Sequence, residues 1–350
     1  MGSLELAVVG AGQIGRTHID RALRNVRIKL VAIADSDPAG EALARDIGVP
    51  FFADHRVLLE QVRPQAVVVA TPNATHASIT VDCLERGAAV LVEKPIADTL
   101  EQAQRICDAA RATGLPVLVG HQRRHNAIVR KAKAIVAAGT LGRLISVTVM
   151  CTWLKPSEYF DTAWRRQRGG GPILINLIHD IDLMRHLFGE IASVQALASN
   201  AARGFEVEDT AVAALRFRNG ALGTVTVSDT AAAPWNYDLA SGEADRFPRQ
   251  DVDTHFYCGS DASLSLPRLQ LWRYRADEGA RAWQDPLTLE RAPVHTGCPY
   301  VEQLRHFAAL VAGEEAAVCS ALDGYRTLQA ALAVTQAAAS GQPIALAAQG

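Results

Sequence analysis

Leu4-Glu5-Leu6-Ala7-Val8-Val9-Gly10-Ala11-Gly12-Gln13-Ile14-Gly15 is a short apolar run that breaks into glycines spaced G-x-G-x-x-G and continues as a helical pattern. Strand, glycine turn and helix in that order decide the fold. Gly10 permits the tight turn, Gly12 lets the backbone approach a pyrophosphate, and Gly15 lets the helix pack close to the strand. The helix start adds N–H donors and positive partial charge, with Gln13 and Ile14 in its first turn. Twenty residues beyond Gly15, Asp35 ends the next apolar run, Lys29–Asp35, where a carboxylate accepts hydrogen bonds from an adenosine ribose. A carboxylate there repels a 2′-phosphate and its neighbour is Ser36, so NAD is the expected cofactor. NADP stays open as the alternative, because Arg16 or Arg45 could reach a phosphate.

Outward from this turn, the apolar runs Ala66–Ala70, Ala89–Glu93 and Pro116–Gly120 alternate with helical patterns at Gln13–Arg24, Ala39–Ile47, Thr75–Arg86 and Leu100–Thr113. Near-continuous apolar strands separated by helices predict a doubly wound parallel sheet. After Gly120 the rhythm changes. A helix near Asn126–Ala138 leads to a long strand, Leu144–Leu154, then through Gly169–Pro172 to a helix near Leu174–Phe188. Strands follow in series at Ala192–Ala198, Thr210–Phe217, Ala221–Val227 and Ser263–Arg273, with a hairpin turn at Arg218-Asn219-Gly220 and a long loop over Ala231–Asp253. Helices near Tyr300–Ala312 and Asp323–Ser340 close the chain. The expected class is α/β: a Rossmann dinucleotide-binding domain over residues 1–122, then an α+β domain over 123–350 with a large, mostly antiparallel open sheet that serves substrate binding and oligomerisation.

The chain has 350 residues, enough for two cores, with 49% hydrophobic and 21% charged residues. Lys and Arg number 35 against 37 Asp and Glu, so there is no basic field for nucleic acid or for an anionic membrane. The expected partners are a small-molecule substrate and further copies of the chain, as a homodimer or homotetramer. Apolar runs are too short to span a bilayer, and Met1-Gly2-Ser3 enters a strand pattern without a signal-peptide core, which makes the cytoplasm the expected location. Six cysteines are scattered singly without a Cys-x-x-Cys pair, so neither a metal site nor a disulfide framework is expected.

Two further motifs stand where an open α/β sheet binds ligands. Thr71-Pro72-Asn73-Ala74-Thr75-His76 follows Ala66–Ala70, and Glu93-Lys94-Pro95 ends Ala89–Glu93. Thr71, Pro72, Asn73, His76, Glu93 and Lys94 are accordingly expected at the cofactor. Gln122 and Arg123, after the last parallel strand, are expected to line the cleft.

With the downstream Trp164-Arg165, a Gly-rich turn and His179-x-x-Asp182, these motifs resemble the Gfo/Idh/MocA oxidoreductases, the group of glucose–fructose oxidoreductase and the inositol dehydrogenases. Leu177-Ile178-His179-Asp180-Ile181-Asp182 is similar to the substrate helix of the inositol dehydrogenases. The resemblance implies hydride transfer between a nicotinamide and a secondary hydroxyl of a sugar, sugar acid or cyclitol. It implies too that Trp164 and Arg165 lie near the nicotinamide and substrate, and that His295 and Tyr300 occupy positions able to contact substrate.

Alcohol oxidation needs a base about 3 Å from the hydroxyl and a cation near the oxygen. His179 suits the first role and Lys94 the second. On a regular helix Asn176, His179 and Asp182 share a face and could address one polyol. The departure from the family pattern is Ile175, where relatives often carry an aspartate four residues before the histidine. Two alternatives stay open: oxidation of another ring alcohol such as an aromatic cis-dihydrodiol, with Trp235 and Phe247 stacking on it, or an NAD-bound sensor with weakened turnover.

Overall fold

The computed structural model describes residues 3–244, 246–274, 282–294 and 297–347. The chain divides into two compact units, residues 1–125 with 297–328 and residues 126–296 with 329–350.

The first unit holds the strands β1 (Leu4–Val9), β2 (Ile28–Ala34), β3 (Phe51–Phe52), β4 (Ala66–Val69), β5 (Ala89–Glu93) and β6 (Val117–Gly120). Helices α1 (Gln13–Leu23), α2 (Ala39–Ile47), α3 (His55–Val62), α4 (His76–Glu85) and α5 (Leu100–Thr113) connect them. Every pairing is parallel, in the order β3-β2-β1-β4-β5-β6. All residues of β4 and β5 are buried, which is why these strands read as unbroken apolar runs. The chain reverses its direction of travel across the sheet between β1 and β4, so the crevice outside their carboxyl ends is the topological switch point. The sequence reading had not assigned the short edge strand β3 or α3. Asp54 starts that helix, its side chain accepting from the backbone N–H of Arg56.

The second unit is built on β7 (Leu144–Thr152), β8 (Ile191–Ser199), β9 (Thr210–Phe217), β10 (Leu222–Ser228), β11 (His255–Gly259), β12 (Ala262–Leu266), β13 (Gln270–Arg273), β14 (Thr288–Arg291) and β15 (Ile344–Ala345). Among the described residues these form one sheet in the order β14-β13-β12-β11-β7-β10-β9-β8-β15, antiparallel except where β10 runs parallel to β7. In register, Val149 faces both Val225 and His255, and Val225 faces Ala213, so these side chains share the inner face. That face packs on α6 (Ala127–Ala137), α7 (Ile178–Phe188) and the later turns of α10 (Ala321–Ser340), through residues such as Ala132, Ile181, Ala330 and Val334. Leu197, Val212, Leu222, Phe256, Trp272 and Leu289 are exposed. Leu197 stands opposite Val212 and Trp272 opposite Leu289, while Thr148 and Thr224 hydrogen-bond across the strands.

Three sequence expectations change here. The run Ser263–Arg273 is a hairpin of β12 and β13, because Pro267 lacks a ladder N–H and Leu269 turns at a φ of 53°. The segment Ala231–Asp253 contains a short helix, α8 (Tyr237–Ser241), begun by Asn236, whose side chain accepts from Asp238 N–H. The helix expected over Leu174–Phe188 opens as a π turn, Ile173–Leu177, and is α-helical only from Ile178. The helix α9 (Pro299–Val311) belongs to the first unit, where Tyr300 packs edge-on against His18 and Glu314, just beyond it, pairs with Arg27 at 2.7 Å. Among the described residues no helix is long and apolar enough to cross a membrane.

Candidate active site

In the first unit the expected dinucleotide turn lies at the crevice between β1 and β4. Gly10 has a φ of 96°, and a Cβ on it would come 2.6 Å from the carbonyl oxygen of Ala70, so only glycine fits there. A Cβ on Gly15 would strike the carbonyl oxygen of Gly10 at 1.8 Å, the close helix–strand approach that the motif requires. A Cβ on Gly12 would meet nothing within 4 Å, so its missing side chain serves open space and not protein packing. Gly12 caps α1 with no side-chain bond to the first turn, leaving the backbone N–H groups beside the exposed Gln13 and half-buried Ile14 facing that space. Asp35 ties the turn to β2: one carboxylate oxygen accepts from Ala11 N–H and the other from Asp37 N–H at 2.8 Å. The clearance at Gly12, the uncapped donors and the carboxylate just beyond β2 fit the pyrophosphate and ribose of a dinucleotide.

Around this cradle the strand ends of β4, β5 and β6 bring the other expected residues. Thr71, Pro72 and Asn73 form the loop after β4, closed by Thr75, whose hydroxyl donates to the Pro72 carbonyl and accepts from the Thr71 hydroxyl, each at 2.8 Å. His76, expected at the cofactor, is 1% exposed. Its Nδ1 faces the Pro95 carbonyl at 2.9 Å and its Nε2 the Thr71 carbonyl at 2.8 Å, so it links the loops after β4 and β5. A neutral imidazole donates one of those bonds and a protonated ring both. Glu93 is buried under the same loop, its Oε1 2.8 Å from His18 Nε2 and its Oε2 accepting from Lys94 N–H at 3.2 Å. Burial pushes this carboxyl up, but His18 and Lys94 outweigh it and hold Glu93 below the usual carboxylate range. Lys94 is half-buried at the strand end, and Gln122 and Arg123 are buried in the 3₁₀ turn that follows β6.

The second unit carries the other expected residues. Asn176 lies in the π turn and His179 in the first turn of α7, both half-buried, so the π turn breaks the regular helical spacing assumed between them. Asp182 lies deeper, 1% exposed. Ile175 occupies the π turn beside Asn176. Trp164 is 47% exposed on a 3₁₀ turn, and the Arg165 guanidinium stacks 4.0 Å from the Tyr159 ring centroid while donating to the Tyr159 carbonyl. His295 lies outside the described residues.

A residue the sequence reading had passed over, Lys155, is buried beside Asn176 and donates to its Oδ1 at 2.8 Å. An ammonium offers only donors, so Asn176 must turn its oxygen toward Lys155 and its NH₂ elsewhere. Asp229 pairs with Lys155 at 3.4 Å and with Arg203 at 3.2 Å. Burial lowers the Lys155 pKa and Asp229 opposes that shift. In the sequence Lys155 lay between Leu154 and Pro156 with no motif of its own, and its partners are 21 and 74 residues away.

Residues 4–121 match the family model described as "Oxidoreductase family, NAD-binding Rossmann fold", and residues 129–246 match the "GFO/IDH/MocA C-terminal domain". Among similar proteins, the scyllo-inositol 2-dehydrogenase (NAD(+)) of Bacillus subtilis (strain 168) is 26% identical over 350 residues, covering 97% of this chain and 95% of the relative. The inositol 2-dehydrogenase 2 of Saccharopolyspora erythraea is 29% identical over 360 residues, covering 99% and 97%. Among solved structures, the WlbA dehydrogenase from Bordetella pertussis, in complex with NADH and UDP-GlcNAcA, superposes with a TM-score of 0.79 at 25% identity, covering 99% of this chain and 100% of that one.

Proposed function

Because the chain belongs to the Gfo/Idh/MocA family of NAD-binding oxidoreductases, we propose that it is a dehydrogenase that moves hydride between NAD and a secondary hydroxyl of a sugar, sugar acid or cyclitol. The observation that carries this reading is the switch-point crevice, where the open Gly12 cradle, Asp35 and the half-buried Lys94 stand at the ends of strands of one parallel sheet. Bound NAD supplies the hydride acceptor. The chain's own residues do the rest: the amides of Gly12, Gln13 and Ile14 hold the pyrophosphate, and Asp35 accepts from the ribose. Thr71, Pro72, Asn73 and Gln122 border the cofactor, and His76 keeps the two loops beside it in register.

In this reading Lys94 stabilises negative charge on the reacting oxygen, and His179 removes the hydroxyl proton. Asn176, its amide oriented by Lys155, and Arg123, Trp164 and Arg165 contribute to substrate recognition. Inositol and other sugar dehydrogenases among the relatives support a polyol over a flat aromatic diol, and nothing observed favours the sensor alternative. The apolar outer face of the second unit's sheet supports self-association, and the cytoplasm is the expected location. The test is a screen of inositols, hexoses, sugar acids and cis-dihydrodiols with NAD and with NADP, followed at the nicotinamide absorbance. Turnover on a polyol with NAD preferred is the expected result. Turnover confined to dihydrodiols, or to NADP, would replace the substrate or cofactor assignment.

A further inference from the structure

Resting on the reading of Lys94 as the cation of the reaction, we propose that His18 and Glu93 are positioning residues for Lys94. They form a buried imidazole–carboxylate couple that sets its backbone and its charge environment from the helix that opens the dinucleotide turn.

His18 stands on α1 one turn after Gly15 and is 0% exposed, and Glu93 ends β5 at 5% exposed. Their side chains meet at 2.8 Å, and the second carboxylate oxygen takes the N–H of Lys94 at 3.2 Å. Burying an ionised carboxylate is costly unless it is paired and hydrogen-bonded, and Glu93 has His18 on one side and Lys94 on the other. Space is reserved for the group: Gly120, opposite Glu93 in the β5–β6 register, would bring a Cβ within 2.8 Å of Oε1. The His18 ring is held in turn by Tyr300 of α9, edge-on with centroids 5.6 Å apart. Among the charged and titratable groups facing the pair are Lys94 beside it, His76 on α4, which itself feels Asp98, and Tyr300. A staple between helix and strand would need no ionised group. A carboxylate that also binds the backbone of Lys94 acts on that lysine's charge.

Competitive acylation read by mass spectrometry tests this on the intact protein, since Lys94 is one of five lysines and the exposed Lys29 serves as internal reference. Removing the neighbouring negative charge by Glu93→Gln should lower the pH at which Lys94 becomes reactive by about half a unit or more, raising its rate relative to Lys29 roughly threefold below that pH. His18→Asn, too short to reach Glu93, should also displace the Lys94 profile, whereas His18→Gln, which keeps an N–H within reach, should return it toward that of the unmodified protein. If Glu93→Gln does not fold, the two His18 variants decide alone. Folded variants whose Lys94 profile does not move would overturn the proposal and leave the couple a packing device. A Lys94→Ala protein with full turnover would sink the role given to Lys94 while leaving the labelling result to stand by itself.

Discussion

In the proposed reaction Lys94 and His179 take opposite halves of one proton-transfer problem, so their removal should be visible in turnover before anything else. Loss of a general base costs about 10²–10⁴-fold in rate. Lys94→Ala and His179→Ala are each expected to lower turnover at least about 100-fold while NAD still binds, because the glycine turn and Asp35, which are proposed to hold the dinucleotide, are untouched. A His179→Ala enzyme with near-normal turnover would take the base assignment away from it. Single residues were legible in the sequence where a turn comes with fixed spacing, as for Gly10, Gly12 and Gly15. Residues that act through others were not. His18 reads as one more residue on a helix until Glu93, 75 positions later, is seen beside it, and Lys155 has no local pattern at all. His76 was expected for its place after β4, and its ring lies between the Thr71 and Pro95 carbonyls, where it ties the loops after β4 and β5 together.

At the scale of the element, the β1–α1 turn separates two uses of glycine that a sequence motif cannot distinguish. Gly15→Ala places a methyl group 1.8 Å from the Gly10 carbonyl, which the helix can relieve only by leaving the strand, so the protein is expected to lose stability by several kcal/mol or to fail to fold. Gly12→Ala meets open space in the free protein and should melt within a few degrees of the unmodified chain, yet lose at least about tenfold in NAD affinity, since its methyl group enters the cradle. Calorimetric melting and NAD titration on the two variants check both outcomes. A Gly12→Ala protein that binds NAD normally would place the pyrophosphate elsewhere. Most elements of the first unit were legible because parallel strands buried on both faces are short apolar runs bounded by turns. The short β3 and the π turn before His179 were not, since an edge strand of two residues carries no periodicity and a π turn has no composition of its own.

For the whole molecule, the two units should answer acid differently. Asp82, Glu93, Glu314 and Glu315, all in the first unit, have carboxyls held below their ordinary range, Glu315 at about 2 by Arg305 and His306. A depressed folded pKa means stability that is present above the ordinary value near 4.3 and lost as pH falls toward the folded one, so the window is roughly pH 4 to 2. Glu208 in the second unit is shifted upward by burial, so acid relieves a penalty there. Hydrogen exchange, corrected for intrinsic rates, should show α1 and α9 losing protection before β9 and β10 on going from about pH 5 to about pH 2, and the reverse order would refute this account. The change of rhythm after Gly120 was legible, and so was the antiparallel sheet that follows. The return of residues 297–328 to the first unit was not, because Tyr300 and Glu314 find their partners almost 300 positions upstream.

The sheet of the second unit also bears on assembly. Its inner face is filled by helices, while Leu197, Val212, Leu222, Phe256, Trp272 and Leu289 remain exposed. Adjacent exposed apolar side chains on a sheet are costly in water and mark an interaction surface. Thr148 and Thr224, bonded to each other across β7 and β10, keep polar groups satisfied there. Light scattering at micromolar concentration should therefore give a mass at least twice 37.5 kDa. Two charges placed on neighbouring strands by Val212→Lys and Leu197→Lys should shift the protein toward monomer without loss of NAD binding, because the cradle lies in the other unit. A unit-mass particle from the unmodified protein would show that this face does not hold copies together.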